Sequence, residues 1–196
     1  MLEQSLSRAR QLSDEVWEAL DGIAVASDDR TRVAAALMNL SMSHYSAIVG
    51  LLECRRNASA FALVRPTIDG FLRSQWILFL ASDLEIEGFA AGSDPPGTFT
   101  IVDRLIEKGI YQDDLKADLL KPIWGLISDF VHGGGALALR HISEGAIGPS
   151  FKDEELDAVL KLAKGWFVMC ASAIASLAQL EQLQDTLKAI AHRLAS

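Results

Sequence analysis

Cysteine is nearly absent: Cys54 and Cys170 are the only two in 196 residues. Each lies inside an apolar helical run and not in a framework of close spacings, which disfavours a disulfide-stapled secreted module and points to a reduced, cytoplasmic compartment. Basic charge is also short. Eighteen Lys and Arg stand against 26 Asp and Glu, a net charge of −8, so broad affinity for a nucleic-acid backbone is disfavoured and only a local basic patch stays open. A signal peptide's apolar core is missing from "MLEQSLSRARQLSDEVW", where charges interrupt it. The most apolar window, "WFVMCASAIASLAQL", is bounded by Gly165 and Glu181 and falls short of the roughly 18 residues that span a bilayer. It reads as a buried helix, and no membrane association is expected.

Several catalytic signatures are missing as well. The sequence has no G-x-x-x-x-G-K-[ST], no G-x-G-x-x-G after a strand, no H-E-x-x-H and no G-x-S-x-G, which leaves phosphate-loop, dinucleotide, zincin and α/β-hydrolase readings without support. No run of β-branched residues alternates with polar ones long enough for a strand.

What is present is helix. The chain is half hydrophobic and 22% charged, enough to bury a sizeable core in one domain over residues 1–196. Apolar residues recur at i, i+3 and i+4 almost throughout, and an all-α, antiparallel up-and-down helical bundle is expected. A first helix should run from Leu2 to Val25. "SDDRTR" breaks it, with Ser27 or Asp28 capping a second helix from Asp29 to Cys54. The short turn "RRNAS" makes a third helix, Ala58 to Leu80, the antiparallel partner of the second. Pro66 predicts a kink or restart inside it. "AAGSDPPGTFT" is the strongest linker signal. Helices from Phe99 to Lys108 and from Asp113 to His132 follow, the latter bent at Pro122. A long irregular connection covers Gly133 to Ser150, and a final helix, opened by Ser150 with Asp153 and Glu154, reaches Ile190.

Candidate chemistry rests on few residues. His44 falls on the stripe Val33, Leu37, Leu40, His44, Ile48 and Leu51, which predicts a core-facing imidazole: either a satisfied buried polar group or a site deep among the helices. In "RPTIDGFLR", Arg65, Asp69 and Arg73 follow at i, i+4 and i+8. Arg65 lies in the apolar arc of Phe61, Val64, Ile68, Leu72 and Trp76, and a guanidinium so placed needs a partner. Asp69 is the expected one, with Asp129 the alternative. The pair is either an intrahelical ion pair or a donor set for an anion. In "SDFVHGGG", His132 in the last helical turn before a glycine is an ordinary stop signal, favourable with the helix dipole. One glycine stops a helix, however, and three add a backbone freedom that a ligand approaching the main chain would use. Four histidines, His44, His132, His141 and His192, have no i, i+3 or i, i+4 pairing, so neither a metal nor a cofactor is indicated.

"SHYSAIVGLLECRRNASAFALVRPTIDGFLRSQWI" followed by "ISDFVHGG" resembles uncharacterised, all-helical bacterial proteins that share an "RP..[DE]..[LI]R..W" helix and a later "[SN]D[FY].HGG" segment. Such proteins are similar in outline to the HEPN superfamily, helical bundles found in RNA-cleaving toxins and defence systems, many of them dimers. The resemblance implies a HEPN-like bundle and marks Arg65, Asp69, Asp129 and His132 as the residues that match. The superfamily's nuclease signature, an arginine four to six residues before a histidine, is absent: Leu126, Ile127 and Ser128 stand there. A binding or regulatory protein for a nucleotide, RNA or protein partner, in a defence or toxin–antitoxin setting, is therefore the leading expectation. An RNA-cleaving toxin using Arg65 and His132, a metal-binding bundle using His44 and His132, and an interaction bundle with no site are the rivals. The apolar middle of the final helix, from Trp166 to Leu177, predicts that a second copy covers what one bundle leaves bare, giving a homodimer.

Overall fold

A computed structural model describes residues 2–143 and 146–194, and these are almost wholly helical. The helices are α1 (Leu2–Leu20), α2 (Asp29–Glu53), α3 (Asn57–Ala62), α4 (Val64–Phe79), α5 (Asp83–Ala90), α6 (Thr98–Glu107), α7 (Lys121–His132), α8 (Gly135–Leu139), α9 (Asp153–Leu177) and α10 (Glu181–Arg193). A π-helical turn, Leu115–Leu120, leads into α7. Two two-residue strands, β1 (Ile142–Ser143) and β2 (Ala146–Ile147), pair antiparallel with Ile142 opposite Ile147.

The centre is α2. Asp28 caps it through a hydrogen bond from the Thr31 N–H, 2.9 Å, satisfying one of the donors that a helix start leaves free. It packs against α4, α9 and α1. The approach to α4 is close because Gly70 leaves room: a Cβ there would come within 3.2 Å of the Ser41 Cβ and 3.3 Å of the Leu37 carbonyl. Ser41 Oγ donates to the Thr67 carbonyl across the same contact, 2.5 Å. One continuous apolar core runs from Ala9 on α1 to Leu194 after α10.

Several expectations are changed or sharpened. The buried side of α2 is Ala34, Met38, Ser41, Met42, Tyr45, Ile48, Val49 and Leu52, rotated from the stripe through His44; Leu40 is 49% exposed. Both sides of α2 are rich in apolar groups, and the side that meets α9 wins through Tyr45 stacked on Phe167, centroids 4.4 Å apart. Of the two outcomes expected at Pro66 the restart is the one seen: the helix ends at Ala62 and begins again at Val64, which puts Pro66 in a first turn, where its missing N–H costs nothing. Helix α5 fills the stretch between Leu80 and the linker, where no helix is expected, and is opened by a capping box between Ser82 and Glu85. The final helix is two, α9 and α10, broken where Gln179 takes a positive φ of 57°. Helix α9 begins after Lys152, whose N–H donates to Glu155, and not at Ser150.

Helices α2 and α9 are each long and apolar enough to cross a membrane by length and composition. Here they pack on each other at the centre of the core.

Candidate functional site

Arg65 owes its place to the break between α3 and α4. Val64 and Ile68 turn into the core while Arg65 stands one position off, its side chain 26% exposed. It is half-buried where deeper burial is expected from the apolar arc. Three neighbours fix the guanidinium. One turn on, Asp69 Oδ2 lies 3.5 Å from Nε. The ring of Trp124 on α7 lies under Cζ, 5.0 Å from its centroid, a cation–π contact. His132 Nε2 is 3.3 Å from Nη1. Asp69 is itself held from the other side, since Thr98 Oγ1 at the start of α6 donates to its Oδ1 at 2.7 Å.

His132 reaches this point because α7 docks on α3. Phe130 packs at a tilt on Phe61 with centroids 4.7 Å apart, and Phe61 meets Phe151 at 5.1 Å, so residues four before Arg65 and two before His132 are already in contact. Trp124 is braced in turn by Phe99 of α6, 5.2 Å away with the ring planes at 64°. A guanidinium can only donate, so in the bond to Arg65 the imidazole Nε2 accepts and the ring proton sits on Nδ1. His132 is exposed, which leaves the pair open to a solute.

The three glycines divide the work. Gly133 takes the left-handed conformation, φ 64°, that ends α7. Gly134 has no room for a side chain: a Cβ would lie 1.6 Å from Asp129 Oδ1. Asp129 turns toward this loop, where Oδ2 accepts from the N–H groups of Ala136, 2.7 Å, and Leu137, 3.3 Å. It caps α8 and so fixes the strand of chain that leaves His132, while Asp69 and not Asp129 pairs with Arg65. A Cβ at Gly135 would meet nothing within 4 Å.

The fold thus brings together Arg65, Asp69 and His132, and supports His132 from behind with Asp129. His44 stands apart, half-buried on α2, and among the described residues it makes no hydrogen bond; burial pushes its pKa below the usual histidine range. No three His, Cys, Asp or Glu side chains gather as a metal set among the described residues. Trp124 and Thr98 are members that sequence reasoning missed. Thr98 follows the Pro-Pro-Gly linker directly, but spacing carries no sign that it faces Asp69 across 29 residues.

The family model described as "Family of unknown function (DUF6988)" matches residues 38–196. The chain belongs to this family. The DUF6988 match spans Arg65, Asp69, Trp124, Asp129 and His132 and omits α1, although Leu12 and Val16 of α1 are built into the core. No curated protein and no solved structure matches this DUF6988 chain.

Proposed function

We propose that the protein binds a phosphate-bearing ligand, a nucleotide or an RNA end, with Arg65 and His132 as the groups that read the phosphate. The observation that carries the reading is the 3.3 Å approach of a guanidinium and an imidazole 67 residues apart in sequence, at a spot open to solvent. Arg65 is oriented by Asp69 and Trp124 before any ligand arrives, which lowers the ordering cost of binding. A guanidinium matches the geometry of a phosphate's oxygens, and an imidazole beside it supplies a second donor once protonated. The acidic chain as a whole does not attract polyanions, so a single local contact suits a terminal phosphate better than a long backbone. The HEPN-like bundle, the homodimer and the defence or toxin–antitoxin setting belong to this reading. Binding is tested by titrating the chain with 5′-AMP and with a 5′-phosphorylated oligoribonucleotide. Arg65→Gln is expected to weaken both by about tenfold or more, roughly 1.4 kcal/mol. Equal binding by wild type and Arg65→Gln, or no binding of either probe, rejects the reading.

The exposed imidazole next to a phosphate-stabilising guanidinium also favours a second reading, RNA cleavage, in which His132 moves the proton and Arg65 holds the charge of the transition state. The same labelled RNA distinguishes the two. Cleavage abolished by His132→Ala supports the nuclease, and cleavage that survives this change removes it.

A further inference from the structure

On the side of the molecule carrying α5, a cavity of about 460 Å³ opens between α5 and the Pro95–Pro96 segment. Its walls are Trp76, Phe89, Pro95 and Pro96, with Leu84 at 78% exposure beside it and the carboxylates of Glu85 and Asp94 in its lining. A second cavity, about 640 Å³, lies on the other flank of the same helix and is lined by Asp28, Asp29, Asp83 and Glu87. Arg30, the cation there, is already engaged: it donates to the carbonyls of Ile77 and Ala81 and pairs with Asp83. The α5 ridge is therefore acidic on both flanks and apolar along one groove.

One further observation points to a missing partner. Trp76 is only 2% exposed, and its indole Nε1 has no acceptor among the described residues. A buried donor left unpaired costs about 1–3 kcal/mol, and such groups in native structures call for an explanation. Helix α5, whose Phe89 meets this tryptophan edge-on at 6.0 Å, has Ile86 as its single buried side chain, so with its start held by Arg30 few apolar contacts must yield for the groove to widen beside the Pro95–Pro96 segment.

We propose that this groove docks a basic peptide segment of a protein partner. A backbone carbonyl of the segment accepts from the Trp76 indole, an apolar side chain lies against Phe89 and the two prolines, and Lys or Arg side chains meet Asp94 on one flank and Glu87 on the other. Charge selects the occupant: an acidic ridge repels acidic segments and draws basic ones. The unpaired indole selects a ligand with an acceptor, which every peptide backbone carries. This surface is separate from the Arg65–His132 pair and does not depend on it.

The test uses the full chain with ¹⁵N-labelled tryptophan, whose four indole resonances are followed by NMR during titration with a capped hexapeptide, KKLLKK. Trp76→Phe assigns the signal. The expected result is a saturable shift of the Trp76 indole, with affinity falling about tenfold when the leucines are replaced by serine, and about tenfold in a chain carrying Glu87→Gln and Asp94→Asn. Both positions are exposed, so the double variant keeps its fold. A Trp76 signal that stays put at saturating peptide, equal binding of the serine peptide, or comparable binding of EELLEE overturns the proposal.

Discussion

At the scale of single residues, the glycines after His132 separate structure from ornament. Asp129 occupies the space that a Gly134 side chain would need, so Gly134→Ala must push the carboxylate off the Ala136 and Leu137 N–H groups. Losing that cap is expected to cost about 1–3 kcal/mol of stability and to loosen the contact of His132 with Arg65, since the chain that follows His132 is no longer fixed. Gly135→Ala, with nothing within 4 Å of its added carbon, should change stability by less than about 0.5 kcal/mol. Urea denaturation of the two variants side by side measures the difference, and equal stabilities would show that Asp129 does not hold this loop. Much of this was half-legible in sequence. The helix stop at His132 followed from the glycine after it, and the pairing of Arg65 with Asp69 followed from i, i+4 spacing. That Asp129 serves the loop and leaves Arg65 to His132 depends on which way α7 faces α3, and that is decided by the contact of Phe61 with Phe130, two aromatics 69 positions apart.

Among the elements, sequence periodicity placed most helices correctly and misjudged where they break. Pro66 announced a break but not its position, because a proline is tolerated in the first turn and the chain moved the break upstream to use that tolerance. The division between α9 and α10 carried no proline or glycine and rests on Gln179 in a left-handed conformation. Helix α5 was hidden by its neighbours, since "GSDPPG" after it reads as linker. Its attachment depends on one arginine. Arg30, in the first turn of α2, donates to the carbonyls of Ile77 at 2.5 Å and Ala81 at 2.7 Å and to Asp83 at 2.7 Å, so it caps the end of α4 and ties the start of α5 to both. Hydrogen bonds to a charged donor contribute about 1.5–3 kcal/mol. Arg30→Met, which keeps most of the aliphatic stem, is expected to cost about that much and to increase amide exchange first in α5 and the last turn of α4. Exchange that rises uniformly over the whole chain, or not at all, would show that Arg30 is not the tie.

For the whole molecule, the question is where a second copy would sit. The apolar run of α9 predicts bare surface along its middle; Trp166, Phe167, Cys170, Ala171, Ile174 and Ala175 are buried, covered by α1, α2, α4 and α10 of the same chain, while Met169 stays 38% exposed. Even the thiol of Cys170 is pushed up to about 12 by that burial. Sequence could not show this, because a helix apolar on all sides looks the same whether its own chain or another encloses it. Among the large apolar groups left in solvent, Leu119, Leu126, Leu139, Ile142 and Ile147 follow one another along the chain and are between 39% and 95% exposed. The two isoleucines face each other across strands two residues long, too short a hairpin to hold a register alone in water. Together these groups expose several hundred Å² of apolar surface, about the size at which a patch marks an interaction site. Two such faces related by a two-fold axis would bury on the order of 1,200 Å², the lower end of stable dimers. We propose these residues, in place of α9, as the contact surface of the homodimer. Light scattering at micromolar concentration should give twice the mass of one chain. Leu139→Asp with Ile147→Asp, both far from the core, should give a single-chain mass with an unchanged helical circular-dichroism spectrum. A wild-type mass of one chain, or a dimer indifferent to both substitutions, rejects this placement.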